Sequence, residues 1–370
     1  MCIRDSPWGD RAIAVKFDRV AESVDALHGR EFDGVAAVGD RPAVLAAAAA
    51  EALGLPFHPL SAANACHDKF AARQLYRGAG LRVPEFFRVP IEEDPTAAAR
   101  RTTYPCVLKP LGLSASRGVI RANNEAEFQA AFVRIRAMLG DTGGPFLQIE
   151  AYIPGREFAV EGLVTRGELL PLAIFDKPDP LEGPFFEETI YVTPSREPER
   201  VQRDLIETAA AAVRALGLRH GPVHAELRYN PDGAWMLEAA ARPIGGLCAR
   251  ALRFTGDVPL EELILRHALG EEVADVRLQG PASGVMMIPI PKAGIYRGVD
   301  GVDRASAVPD IEDVVITAQV GDPLAPLPEG SSYLGFIFAR GNSPAEVEAA
   351  LRKSHAELSF QVATVLEMLR

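Results

Sequence analysis

The chain has 370 residues, of which 48% are hydrophobic and 24% are charged. This length predicts two to three domains, and the composition excludes disordered, collagen-like and coiled-coil proteins. The 39 basic and 50 acidic residues give a net charge of −11, so nucleic acid is not expected as a partner. No apolar stretch reaches the roughly 20 residues that span a bilayer. The four cysteines are far apart and form no CxxC pair, which favours a reducing, cytoplasmic setting.

The first six residues, Met1–Ser6 (MCIRDS), have neither the apolar core of a signal peptide nor the pattern of a strand. They resemble the translation of a transposon-end adaptor used in DNA library preparation. We therefore interpret residues 1–6 as a sequencing scar and expect that the native N-terminus is missing. An ordinary frayed terminus is the alternative.

The next segment alternates between strand and helix patterns. Ala12–Phe17 and Phe32–Val38 read as strands, and Val20–Leu27 and Ala43–Leu53 read as helices. This alternation predicts a parallel, doubly wound α/β sheet, with an exposed edge at the first strand. No GxGxxG fingerprint follows either strand and no P-loop motif occurs in the sequence, so neither of these nucleotide sites is predicted.

From Asp68 onward the patterns predict a mixed α+β region. The predicted elements are a helix from Asp68-Lys69 to Gly78, strands at Cys106–Leu108 and Val119–Arg121, a helix to Leu139 capped by Asn123 or Asn124, a strand at Phe146–Glu150, antiparallel strands from Phe158, a helix at Pro198–Leu216, and a hairpin of Val223–Tyr229 with Ala234–Ala240. After a polar boundary at 270–280 come strands at Gly284–Ile288, Val314–Ala318 and Gly335–Ala339, then a helix from Ser343-Pro344 to Leu369.

The hairpin carries the most informative pattern. Its residues Pro231-Asp232-Gly233 have the chemistry of a three-residue turn. In that register Arg228 faces Met236, and Glu226 faces Glu238. Like charges directly across a strand pair are destabilising, and paired carboxylates suit Mg²⁺. The alternative is a solvated pair on an open sheet, offset by the nearby arginine.

Upstream of the hairpin, a glycine-serine loop and two lysines offer groups for phosphate. Lys109 ends a buried strand and precedes the loop Gly112–Gly118, whose glycines let backbone N–H groups approach an anion. Ser114 and Ser116 add hydroxyl donors, and Lys69 lies in the first turn of a helix. The alternative to a phosphate site is an ordinary surface turn beside a lysine whose aliphatic stem covers apolar surface.

Two further carboxylates, Glu150 and Glu157, lie on either side of Ile153-Pro154-Gly155. One of them suits the amino group of adenine and the other suits ribose hydroxyls, with apolar contact from Tyr152. An exposed acidic connector is the alternative.

Taken together, these motifs resemble the ATP-grasp superfamily of carboxylate-amine ligases, and within it the L-amino-acid ligase group, from about Phe32 to Phe360. The segments that carry the resemblance are Asp68-Lys69, Val107–Pro110, Gln148–Glu157 and Leu237–Gly246. The resemblance implies an ATP-grasp fold, in which two α+β subdomains enclose ATP. The implied organisation is a truncated doubly wound α/β domain at 7–66, an ATP-grasp domain at 67–275 with subdomains 67–145 and 146–275, and a small α+β C-terminal domain at 276–370.

The resemblance also implies a role for each candidate residue. For ATP these are Lys69 and Lys109 on the phosphates, Ser114, Ser116 and Gly118 in a phosphate lid, Glu150 and the backbone near Ile153 on adenine, and Glu157 on ribose. For the reaction centre they are Glu226 and Glu238 on Mg²⁺ or Mn²⁺, Arg242 on the acyl phosphate or substrate carboxylate, and Glu187 and Gly246 on the substrate.

One residue departs from the family pattern. The family usually has a metal-ligating asparagine two positions after the second metal glutamate, and this chain has Ala240 there. The predicted register places His224 opposite Ala240. We therefore expect that His224 or a water molecule takes that ligand position, and a packed histidine without metal contact is the alternative.

The implied reaction is ATP-dependent activation of a carboxylate as an acyl phosphate, followed by attack of an amine and release of ADP and phosphate. Such chemistry asks the protein mainly for positioning and charge neutralisation. The expected partners are small carboxylate and amine substrates, and a homodimer is possible. The alternatives are a biotin-type carboxylase that acts on bicarbonate and a nucleotide-binding module without turnover.

Overall fold

The computed structural model describes residues 12–140, 144–273 and 275–364. The helices are α1 (Val20–Asp25), α2 (Asp40–Leu53), α3 (Leu60–His67), α4 (Lys69–Gly78), α5 (Pro95–Arg100), α6 (Glu125–Leu139), α7 (Glu199–Leu216), α8 (Leu260–Ala268), α9 (Val302–Ser306) and α10 (Pro344–Ala356). The strands are β1 (Phe86–Pro90), β2 (Cys106–Pro110), β3 (Ile120–Ala122), β4 (Phe146–Ala151), β5 (Arg156–Thr165), β6 (Glu168–Lys177), β7 (Ile190–Thr193), β8 (His220–Asn230), β9 (Gly233–Ala240), β10 (Arg253–Phe254), β11 (Val258–Pro259), β12 (Ala282–Ile288), β13 (Gly294–Asp300), β14 (Ile311–Ile316), β15 (Pro323–Leu324), β16 (Gly335–Gly341) and β17 (Ser359–Ala363).

The N-terminal region differs from the prediction. Residues 12–85 contain α1 to α4 and no strand, so the strands expected at Ala12–Phe17 and Phe32–Val38, and the sheet edge there, are wrong. A strand needs a neighbour to take up its backbone hydrogen bonds, and this region offers none. Val35 and Ala37 instead pack against the core beneath the helices. The supposed scar, residues 1–6, lies outside the described residues.

The first sheet is small and antiparallel, in the order β1-β4-β2-β3. Helices α5 and α6 cover it, with Phe128 and Phe132 fully buried in its core. Two predicted caps hold these elements in place: Asp68 accepts hydrogen bonds from the first turn of α4, and Asn124 accepts one from Glu127 N–H at the start of α6. This sheet presents Lys109 at the end of β2.

The second sheet has eight strands in the order β14-β16-β12-β7-β6-β5-β8-β9. Helices α2, α3, α4 and α7 share one core with β5, β8 and β9. The sheet continues across the predicted boundary at 275/276, because β12 pairs with β7. The C-terminal residues therefore extend the same sheet rather than form a separate one, while β15-β13-β17 make a small third sheet.

The hairpin β8–β9 forms in a different way from the prediction but reaches the same carboxylate pairing. Asn230 pairs with Gly233 around a two-residue turn, so Arg228 faces Trp235 rather than Met236. A bulge at Leu237 then shifts the register by one residue. Beyond the bulge Glu226 faces Glu238, and His224 faces Ala240, as predicted.

The predicted last helix is too long. Helix α10 begins as expected, with Ser343 as its cap and Pro344 in its first turn, but it ends at Ala356. Strand β17 follows and pairs with β13, because Leu358, Phe360 and Val362 alternate and pack into the adjacent core. Residues 365–370 lie outside the described part. Among the described helices none combines the length and the apolar character needed to cross a membrane.

Candidate active site

A cavity of about 560 Å³ lies between the small sheet and the large sheet and brings most of the candidate residues together. Those that line it are Lys69, Lys109, Ser114, Ser116, Glu150, Ile153, Glu157, His224, Glu226, Glu238, Arg242 and Gly246. Gly118 and Glu187 do not line it. Glu188 lines this cavity, whereas Glu187 lines a small adjacent one.

One end of the cavity is apolar. Val107, Ile153 and Leu237 line it, and Tyr152 stacks with Phe186 beside it, with ring centroids 6.5 Å apart. Flat apolar walls of this kind suit a planar ring system. The bulge in β9 lies at Leu237, which lines the cavity.

Glu150 lies at this end but is fully engaged with cations. Its Oε1 accepts from Arg73 Nε at 2.7 Å and from Gln148 Nε2 at 2.5 Å, and its Oε2 lies 2.7 Å from Lys109 Nζ. Burial opposes ionisation of this carboxyl, but Arg73 and Lys109 outweigh it and lower its pKa to about 2. Glu150 is therefore a fixed anion that positions Lys109, and the sequence did not indicate Arg73.

The glycine-serine loop covers the cavity next to both lysines. Lys69 Nζ donates to Leu113 O at 2.6 Å, so the lysine that starts α4 holds the start of the loop. Ala115 and Ser116 have φ of 55° and 54°, which turns the backbone sharply. Gly118 N–H donates to Pro328 O at 2.9 Å, and this contact ties the loop to the C-terminal region.

The paired carboxylates face the cavity with unequal exposure. The Glu226 side chain is 14% exposed and that of Glu238 is 39% exposed. Lys69 Nζ lies 3.8 Å from Glu238 Oε2. Oxygen ligands from opposite strands, open to a cavity that also contains lysines, are the arrangement that a divalent cation and a polyphosphate need.

Both ring nitrogens of His224 face carboxylates. Nδ1 contacts Glu161, and Nε2 lies 3.4 Å from Glu226 Oε1. Burial would lower the pKa of His224, but Glu161 and Glu226 raise it to about 10. The two carboxylates thus favour the protonated imidazole, and the other oxygen of Glu161 accepts the Ile244 N–H at 3.1 Å. Whether His224 binds metal stays a prediction.

A buried lysine that the sequence reading missed sits beside the paired carboxylates. Lys177 Nζ lies 2.8 Å from Glu157 Oε1 and 2.7 Å from Glu226 Oε1, and it also contacts Glu188. The other oxygen of Glu157 accepts from Arg228 Nε at 2.9 Å. A signal was present in the sequence: Lys177, like Lys109, ends an apolar strand.

Arg242 also lines the cavity and is held by the N-terminal region. Its Nε donates to Asp40 Oδ1 at 2.7 Å. Burial raises the pKa of Asp40 and Arg242 lowers it, with a net shift downward, so this is an ion pair. Asp40 begins α2, and its role was not predicted. Residues from beyond the predicted 275/276 boundary also line the cavity: Met287, Thr317, Ser331, Ser332, Tyr333 and Phe336.

The comparisons with known proteins agree with this geometry. Residues 102–251 match the ATP-grasp domain family, and residues 286–363 match L-amino acid ligase C-terminal domain 2. The crystal structure of an L-amino acid ligase from Bacillus licheniformis superposes with a TM-score of 0.78 and 28% identity, covering 94% of this chain and 86% of that one.

Two curated relatives are ligases by name. Alanine–anticapsin ligase of Bacillus subtilis is 30% identical over 239 residues, which cover 59% of this chain and 50% of that protein. D-alanine–D-alanine ligase of Cupriavidus necator is 28% identical over 239 residues, which cover 62% of this chain and 68% of that protein. The chain thus spans about half the length of the alanine–anticapsin ligase that it matches.

These matches and the fold define an ATP-grasp protein, as the motifs predicted. Within that superfamily, the chain is similar to the L-amino-acid ligase group, because the C-terminal match and the structural neighbour are both of that kind.

Proposed function

We propose that this protein is an ATP- and Mg²⁺-dependent ligase that activates the carboxylate of an amino acid or peptide as an acyl phosphate and joins it to an amine. ADP and phosphate are the other products. The observation that carries the proposal is the pairing of Glu226 with Glu238 in a cavity that also contains Lys69, Lys109 and Arg242. The family match of the C-terminal residues that close this cavity supports an amino-acid substrate.

The roles of the side chains follow from their charges and positions. The substrate carboxylate attacks the γ-phosphorus, the bond from that phosphorus to the bridging oxygen breaks, and ADP leaves. Lys109 and Lys69 neutralise the phosphates, and Arg242 binds the carboxylate and then the acyl phosphate, a task that suits a guanidinium fixed by Asp40. The amine then attacks the acyl carbon and phosphate leaves. The glycine-serine loop keeps water from the acyl phosphate.

The residues present fit a divalent metal ion. Glu226 and Glu238 offer oxygen ligands from facing strands, and both line the cavity. A bound Mg²⁺ neutralises charge on the phosphates. Ala240 offers no ligand, so we expect water to complete the coordination.

The apolar part of the cavity lining supports a substrate with an apolar part. Met287, Tyr333 and Phe336 line the cavity, together with Tyr191. The relatives named for alanine suggest that one of the two substrates is a small amino acid.

The decisive experiment incubates the protein with ATP, Mg²⁺ and a panel of amino-acid pairs, and measures ADP, phosphate and the dipeptide product together. We expect one or more pairs to give all three in equal amounts. The E238Q variant should lose at least 100-fold in rate, because removal of one metal ligand weakens the charge stabilisation, whereas E271Q, at an exposed position distant in sequence, should not.

Two outcomes would overturn the proposal. ATP binding without ADP release for any pair would indicate a nucleotide-binding module. ADP release that depends on bicarbonate and not on an amine would indicate a carboxylase.

A further inference from the structure

Three neighbouring strands place a row of alternating charges beside the paired carboxylates. Lys177 of β6 pairs in register with Glu157 of β5, and Glu157 pairs with Arg228 of β8. One row therefore reads cation, anion, cation across the sheet. The adjacent row on β5 and β8 pairs Ala159 with Glu226. Because the side chain at 159 is a methyl group, Lys177 can reach diagonally across it to Glu226.

Lys177 lies among three carboxylates at a spacing that suits a metal ion. One oxygen each of Glu157, Glu188 and Glu226 lie within 4.8 Å of one another. Partly buried carboxylate oxygens so arranged are a donor set for a divalent cation. The ammonium of Lys177 contacts all three, with its side chain only 2% exposed. Three carboxylates around one ammonium favour its charged form.

The same oxygen of Glu226 faces two nitrogen atoms. Lys177 Nζ lies 2.7 Å from Oε1, and His224 Nε2 lies 3.4 Å from it. A carboxylate that has two fixed nitrogen atoms beside one oxygen cannot rotate freely, and its second oxygen acquires a defined direction. Tyr191 restrains the lysine itself, since its ring centroid is 5.0 Å from Nζ.

We propose that Lys177 is a positioning residue whose ammonium takes the place of a metal ion among Glu157, Glu188 and Glu226. This inference rests on the proposed function, in which Glu226 binds Mg²⁺, and on the contact with ribose that the family resemblance implies for Glu157. Lys177 fixes the separation of these two carboxylates, and it prevents the three-glutamate group from binding a second divalent cation that would compete for Glu226.

The first test measures Mn²⁺ binding without nucleotide, by calorimetry. In K177M the ammonium is replaced by a side chain of similar length without charge, so we expect the variant to bind one Mn²⁺ at least tenfold more tightly than the wild type. K177R should behave as the wild type, because it keeps the charge. K177M/E188Q should lose the gain, because one of the three ligands is gone. The exposed Lys292 provides the control K292M.

The second test measures the Kd of a non-hydrolysable ATP analogue in buffer with EDTA, where no metal contributes. We expect K177M to bind about tenfold more weakly than the wild type, because Glu157 is no longer oriented. K177M/E188Q restores the net charge of the group but not the orientation, so its nucleotide binding should stay weak. If Lys177 had only a structural role, K177M/E188Q would not lose the gain in Mn²⁺ binding while its nucleotide binding stays weak.

The outcomes judge the two proposals separately. Mn²⁺ binding by K177M that equals the wild type, or wild-type nucleotide affinity in K177M/E188Q, would overturn the role of Lys177. Failure of the wild type itself to bind nucleotide would overturn the proposed function, while the Mn²⁺ measurement still judges Lys177. If K177M is unfolded in metal-free buffer, added Mn²⁺ should restore its melting transition, and a variant that remains unfolded with Mn²⁺ contradicts the inference.

Discussion

Three histidines far from the cavity are held in the neutral form by the fold. His58 is buried: its Nδ1 accepts the Arg219 N–H at 3.2 Å, and its Nε2 donates to Pro222 O at 2.9 Å. His220 and His267 stack, with ring centroids 4.0 Å apart. Burial lowers the pKa of His58 to about 4 and that of His267 to about 4. Protonation of His58 or His267 therefore destabilises the folded state.

The first prediction concerns acid stability. Because the pKa of His58 is about 4 in the folded chain against 6.5 otherwise, its contribution is complete above pH 6.5 and is lost as the pH falls toward 4. At pH 5 the loss is about 2 kcal/mol for this residue. H58Q keeps a donor for Pro222 O and cannot be protonated, so its melting temperature should fall less between pH 7 and pH 5 than that of the wild type.

The control for this prediction is H28Q, at an exposed histidine whose side chain is 60% exposed. It should follow the wild-type pH dependence. An H58Q variant as sensitive to acid as the wild type would show that other groups account for the loss.

Single residues differ in how far the sequence discloses them. The facing of Glu226 and Glu238 was predicted from the chemistry of a three-residue turn, but the turn has two residues, and the bulge at Leu237 restores the pairing. Lys177 and Arg73 were not predicted, because their partners lie on strands or helices far along the chain, and only the packed fold brings them to Glu226 and Glu150. Glu188 was missed by one position, since alternation in a short irregular segment does not fix which of two glutamates points inward.

At the scale of elements, the turn between β4 and β5 depends on a glycine. Gly155 has a φ of +121°, and a Cβ atom there would lie 2.3 Å from Tyr229 O. Neither the conformation nor the space admits a side chain. This turn places Ile153 and Glu157 on the cavity, so its geometry sets the nucleotide end of the site.

The second prediction compares two glycines. G155A adds both backbone strain and a clash with backbone, so we expect it to lower the free energy of unfolding by about 3 kcal/mol or more. G54A, at the end of α2, has φ of +68° with no heavy atom within 4 Å of the added Cβ, and it should lose only about 1 kcal/mol. Urea denaturation measures both, and equal losses would contradict the expected clash.

The ends of helices were predicted well where a capping residue or a glycine sets them. Caps and glycine stops place α4, α6, α7 and the start of α10 within a residue or two. The predicted strands at residues 12–17 and 32–38 failed because a β pattern forms a strand only beside a pairing partner. The end of α10 failed because tertiary packing of alternate residues in β17 overrode the helical reading.

At the scale of the whole molecule, the glycine-serine loop is tied to the C-terminal region. Arg134 holds Glu329 by two hydrogen bonds of 2.6 and 2.9 Å, and Arg117 Nε donates to Glu329 O at 3.0 Å. Together with the Gly118 bond to Pro328 O, these contacts join the loop to the segment that carries Ser331, Ser332 and Tyr333.

The third prediction follows from this connection and rests on the proposed function. E329Q weakens the bidentate pair, worth on the order of 1 kcal/mol, so the loop should open more often and admit water to the acyl phosphate. We expect the ratio of ADP released to amide formed to rise about two- to fivefold. E312Q, which weakens the Arg340–Glu312 pair at 3.0 Å, should leave the ratio unchanged. An unchanged ratio in E329Q would show that this pair does not govern closure.

The continuous eight-stranded sheet limits how this protein can be re-engineered. Its strands β12, β16 and β14 follow the predicted boundary, yet they join the preceding strands at β7, where Gly284 approaches Tyr191 O so closely that a Cβ would lie 2.8 Å away. A chimaera that exchanges the C-terminal part between relatives must therefore carry a matched β7–β12 seam, or it leaves an open edge at the centre of the molecule. Recombination at residue 275 is expected to transfer specificity only when Gly284 and the facing strand β7 come from the same parent protein.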